Sequence, residues 1–263
     1  GVTTPETVVF SSDEPCDPAK LSLPAIVKPA VRRSYSAASA TVPRLRVCMQ
    51  RADLHAAIQG YQQLGCGGVA QSIIPGNDNL LVTNGIAAVD GDIVASFIGR
   101  KVRQFPPAFG EAALAESFNS PEVEKASKRL IGKSGFTGIA QVEYKMHDER
   151  PVLIEVNPRS WSWNALATAS GVNLPSALIS ALSGESIAPP HQSQSTIRWS
   201  FAVKDLMPNG CHGQGLSVLG DILRADVHAY WAPHDPLPGI VEPLLHLANW
   251  ARCLARHLFL GRD

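Results

Sequence analysis

The sequence predicts an α+β protein. Helical periodicities and short antiparallel hairpins are interleaved along the chain, with no regular strand–helix–strand repeat. Apolar residues make up 45% and charged residues only 17%, with a mean hydropathy of +0.01, which is the composition of a folded globular chain. At 263 residues the length suits one or two domains. The 23 basic and 23 acidic residues cancel, which argues against a nucleic-acid binder working through a whole-molecule field and says nothing against a local basic patch.

The elements follow in chain order. Leu23 to Val27 is a short apolar run ending in Lys28-Pro29, a buried strand that presents a lysine. Residues 30–41 are small and polar with two arginines, and read as a loop. Leu45 to Met49 is the returning strand. Leu54, Ile58, Tyr61 and Leu64 lie at helical spacing over Asp53 to Leu64, and Gly65 stops that helix. Leu80 to Val89 and Ile93 to Ile98 flank Asp90-Gly91, a hairpin signal. Ser120-Pro121-Glu122 opens a helix with a cap, a first-turn proline and acids at the positive end. Ile139 to Met146 and Val152 to Val156 form a second hairpin around His147 to Arg150.

Residues 160–184 carry no charge for 25 positions, long enough to span a bilayer. Nine of them are Ser, Thr or Asn, and Gly171 to Pro175 interrupts the run, so two short helices around a turn are expected. Residues 186–200 read as a linker rich in Ser, Gln and Pro. A final helix is expected from Glu242 to about Leu260, with a Leu/Ala stripe and Arg252, Arg256 and Arg262 toward its C-terminal end. Packing on the core and binding to a membrane surface or partner are both open to it. The cysteines at 16, 48, 66, 211 and 253 form no CxxC pair, which points to free thiols and a cytoplasmic setting.

The second hairpin carries the chemistry. If His147 pairs with Pro151 across a three-residue loop, Glu143 faces Glu155, and Asn157 shares their face. Two carboxylates about 4 Å apart repel by about 4 kcal/mol at an effective dielectric near 20, so a positive group should sit between them. Two carboxylates and an amide oxygen suit magnesium held jointly with phosphates, and Arg159 could reach the same phosphates. A solvated acidic strand face is the alternative.

Glu143 followed by Leu153-Ile154-Glu155-Val156-Asn157-Pro158-Arg159 resembles the metal-binding signature of the ATP-grasp superfamily. Other segments resemble that family in the same order: Thr4-Pro5-Glu6-Thr7, Leu23 to Pro29 with Lys28, Gln71 to Asp78 as the adenine hinge, and Ala169 to Pro175. The resemblance implies an ATP-grasp fold in which two α+β subdomains, 1–70 and 71–185, grip ATP between antiparallel sheets, with 186–263 as a C-terminal extension. It implies that Lys28 contacts the α- and β-phosphates and that Gln71 faces the adenine edge. The backbones of Ser72 and Ile74 would contact the base, and Asp78 the ribose. Glu143, Glu155 and Asn157 would hold magnesium or manganese. Lys101 and Arg103, two apart on one strand face, would meet the γ-phosphate or an acyl-phosphate together with Arg159. Arg32 and Arg33 fall where the family has its phosphate-covering loop. That loop usually has glycines, yet none occurs between Lys28 and Gly60. The N-terminal domain usual in the family is also expected to lie outside this chain.

The implied reaction joins a small-molecule carboxylate to an amine through an acyl-phosphate, with ATP and magnesium. The local motifs look closest to the carbamoyl-phosphate synthase and D-aspartate ligase branch. A homodimer is compatible with this reading. Two other classes stay open: an ATP-binding module that no longer catalyses, and a membrane-surface protein acting through the basic C-terminal helix.

Overall fold

The computed structural model describes residues 1–14, 16–30, 45–77, 80–106, 109–185, 188–210, 215–246 and 248. The chain divides into two compact units. The smaller comprises Val2–Gly76 with Val152–Ile154; the larger comprises Asn77–Pro151 and Glu155–Asp263, with Gly1.

The smaller unit holds a four-stranded antiparallel sheet. Its strands are β1 (Thr7–Phe10), β2 (Ala25–Pro29), β3 (Arg46–Cys48) and β4 (Gly68–Ser72), in the order β1-β4-β2-β3. Helix α1 (Arg51–Gln63) packs Leu54, Ala57, Ile58 and Tyr61 onto this sheet, against Val27, Cys48 and Ala70. The periodicity that predicts α1 is therefore its buried stripe. Cys16, Cys48 and Cys66 are free thiols.

The larger unit is built on a seven-stranded sheet. Strands β5 (Leu81–Val89) and β6 (Asp92–Phe105) form the Asp90-Gly91 hairpin, with both turn residues at positive φ (51° and 89°). Strand β6 runs well past the expected Ile98, so Lys101 and Arg103 lie inside a strand rather than after one. Strands β7 (Glu111–Ser117), β8 (Gly138–His147), β9 (Arg150–Asn157), β10 (Arg198–Ser200) and β11 (Val227–His228) complete the order β11-β10-β7-β6-β5-β8-β9. Strands β10 and β11 take residues after 186 into this sheet. Between β6 and β7 the side chain of Gln192 acts as a peptide unit. Its Oε1 accepts from Ile98 N at 2.9 Å, and its Nε2 donates to Ile98 O at 2.9 Å and Phe118 O at 3.1 Å.

Helix α2 (Pro121–Ile131) starts as its sequence dictates. Ser120 Oγ accepts from Val123 N, with Pro121 in the first turn. It packs on the sheet face that carries Tyr144, whose hydroxyl lies 3.0 Å from Ser127 Oγ. The uncharged stretch is two helices, α3 (Ala165–Ala169) and α4 (Leu174–Leu182), separated by Gly171 at φ 91°. Among the described residues no helix is long and apolar enough to cross a membrane. Further on, α5 (Ala202–Gly210), α6 (Gly215–Leu223) and a helical stretch at 237–246 follow. The expected C-terminal helix is thus seen only in its first turns, and the rest of it lies outside the described residues.

Small residues on the other sheet face make room for two indoles. Trp161 and Trp163 pack edge to face with centroids 5.8 Å apart, beside Ala87, Ala95, Ala112 and Ala115. A Cβ built on Gly85 would lie 1.9 Å from Trp161 Cη2, and one on Gly99 would lie 2.8 Å from Trp163 Cζ3. Gly85→Ala should therefore lower stability by about 1–3 kcal/mol through overpacking. Chemical denaturation checks this, and pairing the change with Trp161→Phe should recover part of the loss.

A chain of ion pairs ties α5 and α6 to the sheet. Arg103 donates to both oxygens of Asp205 (2.8 and 2.7 Å) and to Asp221 Oδ2 (2.7 Å), and Asp205 is fully buried. Glu116 accepts from Arg100 at 2.6 and 2.9 Å and faces Arg198 at 3.4 Å. Asp205→Ala takes two of the three short bonds from Arg103 and leaves it Asp221, so it should cost about 1–3 kcal/mol in urea unfolding.

Candidate metal and nucleotide site

The site in the larger unit is assembled by strand parity. Thr83 pairs with Glu143 and Gly85 with Gln141 across β5 and β8, so these four share a sheet face. Gly99 pairs with Thr83, which places Lys101, two residues on, beside the same group. Trp161 and Trp163 cover Gly85 and Gly99 on that face, so an apolar block borders the polar cluster.

The contacts run through Glu143. Its Oε1 lies 3.2 Å from Lys101 Nζ and accepts from Gln141 Nε2 at 3.1 Å and, more weakly, from Thr83 Oγ1 at 3.4 Å. Asn157 Nδ2 donates to Glu155 Oε1 at 2.6 Å and reaches Gln141 Oε1 at 3.4 Å. Burial pushes the Glu143 carboxyl above its ordinary value; the Lys101 ammonium pulls it back, and the adjacent Glu155 carboxylate raises it again. Glu143, Glu155, Asn157 and Lys101 are thus brought together. The hairpin turn, however, is not the three-residue loop assumed from sequence. It is two residues, Asp148 and Glu149, both in the left-handed region (φ 46° and 61°), between strands ending at His147 and starting at Arg150.

Arg103 goes elsewhere. The β6–β7 register shifts on both sides of it, so the alternation that would put it beside Lys101 is broken, and its guanidinium binds Asp205 and Asp221. Arg159 is exposed, with Nη1 donating to Ser160 O at 2.9 Å, and its charge helps hold the Glu111 carboxyl below the ordinary range, after the larger effect of Lys204.

In the smaller unit, Lys28 lies half-buried on β2, paired in register with Val69. Gln71 Nε2 donates to Thr7 Oγ1 at 3.1 Å. Ser72 is well used. Its N–H donates to Glu6 O and its hydroxyl to Glu6 Oε2 and Ser22 O. No hydrogen bond engages the Ile74 main chain among the described residues. Asp78, Arg32 and Arg33 lie outside the described residues.

Two residues of the cluster were not singled out from sequence. Gln141 sits two residues before Glu143, a spacing that shares a strand face; Thr83 could be placed only once the β5–β8 pairing was known. Among the described residues no three His, Cys, Asp or Glu gather to hold a metal. The cluster is two carboxylates completed by amides. As placed, the amides turn Gln141 Nε2 and Asn157 Nδ2 to the carboxylates; with the Asn157 carbonyl turned in their place, the oxygen donors fit a hard dication such as magnesium.

Comparison with known proteins bears on the fold. N5-carboxyaminoimidazole synthetase from Staphylococcus aureus superposes with a TM-score of 0.57 at 13% identity, covering 80% of this chain and 56% of that one. Biotin carboxylase from Campylobacter jejuni gives 0.54 at 14%, covering 75% and 46%. Phosphoribosylamine–glycine ligase from Thermotoga maritima gives 0.54 at 12%, covering 75% and 54%. Residues 88–203 match the family model described as ATP-grasp in the biosynthetic pathway with Ter operon. The chain has the ATP-grasp fold. It spans about half the length of the solved ATP-grasp structures it matches. No curated protein matches it in sequence.

Because Glu143 is raised in the folded state, the fold holds that proton more tightly than the unfolded chain does. Its contribution is present below the ordinary value of 4.5 and is lost as pH rises through the raised value. Glu143→Gln should remove that loss. Urea unfolding at a series of pH values should show a flatter profile above 4.5 in the variant.

Proposed function

We propose that the chain is the ATP-grasp portion of a magnesium-dependent ligase that joins a carboxylate to an amine through an acyl-phosphate. The observation that carries this is the grouping of Glu143, Glu155 and Asn157 with Lys101 on one sheet face. The family-model match and the folds of the similar structures support it.

In this reading Glu143, Glu155 and the Asn157 carbonyl hold the dication, which would neutralise charge on the β- and γ-phosphates when bound. Lys28 supplies a point charge to the α- and β-phosphates. Gln71, Ser72 and Ile74 border the adenine, and Asp78 the ribose. The Gln71 amide exchanges its bond to Thr7 for the base edge. Arg32 and Arg33 cover the phosphates. A carboxylate oxygen of the acid substrate attacks the γ-phosphorus, the bond to the β–γ bridging oxygen breaks, and ADP leaves. Lys101 and Arg159 stabilise the charge that builds on the transferred group. The amine then attacks the acyl carbon, inorganic phosphate leaves, and the amine loses a proton. Arg103 serves this chemistry indirectly, by fixing the β6 bulge next to Lys101.

Magnesium-ATP should raise the melting temperature by mass action. Glu155→Gln should lose most of that rise, and an undiminished rise would remove the metal assignment. In a screen of acids and amines with the longest available chain, ADP should appear only when the matching pair is present.

A further inference from the structure

Lys101 and Arg103 lie two positions apart on β6, yet they are held very differently. Every Arg103 contact is short, at 2.7–2.8 Å to two carboxylates. Lys101 is the more buried, with its side chain 10% exposed against 25% for Arg103, and among the described residues its ammonium approaches Glu143 Oε1 at 3.2 Å and Gly110 O at 3.4 Å. The Lys101–Glu143 pair is thus longer than any bond that Arg103 makes. The ammonium sits where the acid pair Glu143 and Glu155 needs positive charge.

We infer that Lys101 is the resident counter-ion of the acid pair, and that it leaves Glu143 for the nucleotide phosphates once a divalent cation occupies the pair. This rests on the metal reading proposed above. Two physical facts support it. A dication at ordinary distance from Glu143 uses the same oxygen lone pairs that Lys101 approaches. The two cations also repel one another strongly at such separations in a partly buried site. The four-carbon stem of lysine lets the ammonium move without disturbing β6. The Lys101 ammonium thereby becomes available to the transferred group only after metal has entered, which orders the binding events.

Manganese alone, without nucleotide, is the probe. Lys101→Met should melt lower than wild type in its absence. The variant should reach half of its manganese-induced stabilisation at roughly a tenth of the wild-type concentration or less, because a competing charge has gone. Lys101→Arg keeps the charge and should titrate as wild type does. Equal or weaker manganese binding by Lys101→Met, with a clear shift in wild type, overturns the inference and leaves the metal site standing. No shift in either protein overturns both. Should Lys101→Met not fold, the wild type answers alone. Acylation of Lys101 by an amine-reactive ester, followed by mass spectrometry, should rise several-fold on adding manganese; an unchanged or slower rate overturns the inference.

Discussion

The structure turns on the placing of two carboxylates side by side, Glu143 and Glu155, at the border of an apolar block. Left alone they would repel and loosen the β8–β9 hairpin. The fold meets that cost with Lys101, with the Gln141 and Asn157 amides, and with a proton held more tightly than in water. In the reading proposed above, a dication would take over from each of these devices.

The neighbouring packing sharpens this. Trp161 and Trp163 follow β9 within a few residues and fold back over Gly85 and Gly99. The segment carrying Asn157 and Arg159 is therefore anchored by two indoles immediately after it. The indoles lie on the sheet face that also carries Glu143, whose side chain is 14% exposed. Core and site are one construction: the small residues that admit the tryptophans lie on the strands that supply the polar groups.

Much of this was readable in the sequence wherever a local rule decided the outcome. The Asp90-Gly91 hairpin, the Ser120 cap, the two helices around Gly171 and the stripe of α1 all follow from short-range chemistry, and all are found. Glu143 and Glu155 do lie together, but the three-residue loop from which their facing was read is a two-residue turn, so that register did not follow as expected. What escaped was set by distant pairing. Strand β7 is a short run of Ala and Glu with little strand signature, and β10 and β11 are two or three residues long, so only their partners define them. Arg103 was misplaced because a bulge, invisible to a period-two reading, interrupts β6. The two-residue Asp148-Glu149 turn was missed because neither position is glycine or asparagine, the residues that usually mark positive φ.

The clamp on Arg103 bears on how the molecule is made. Its acids lie 102 and 118 positions downstream, and one of them is completely buried. During vectorial synthesis the strands β5 to β9 emerge long before either acid does, so the sheet forms with a cation still unneutralised at its centre. Residues 88–203, which match the family model, stop short of both acids. A chain cut before Asp221 would therefore keep the Arg103 cation and lose at least one of the acids that neutralise it.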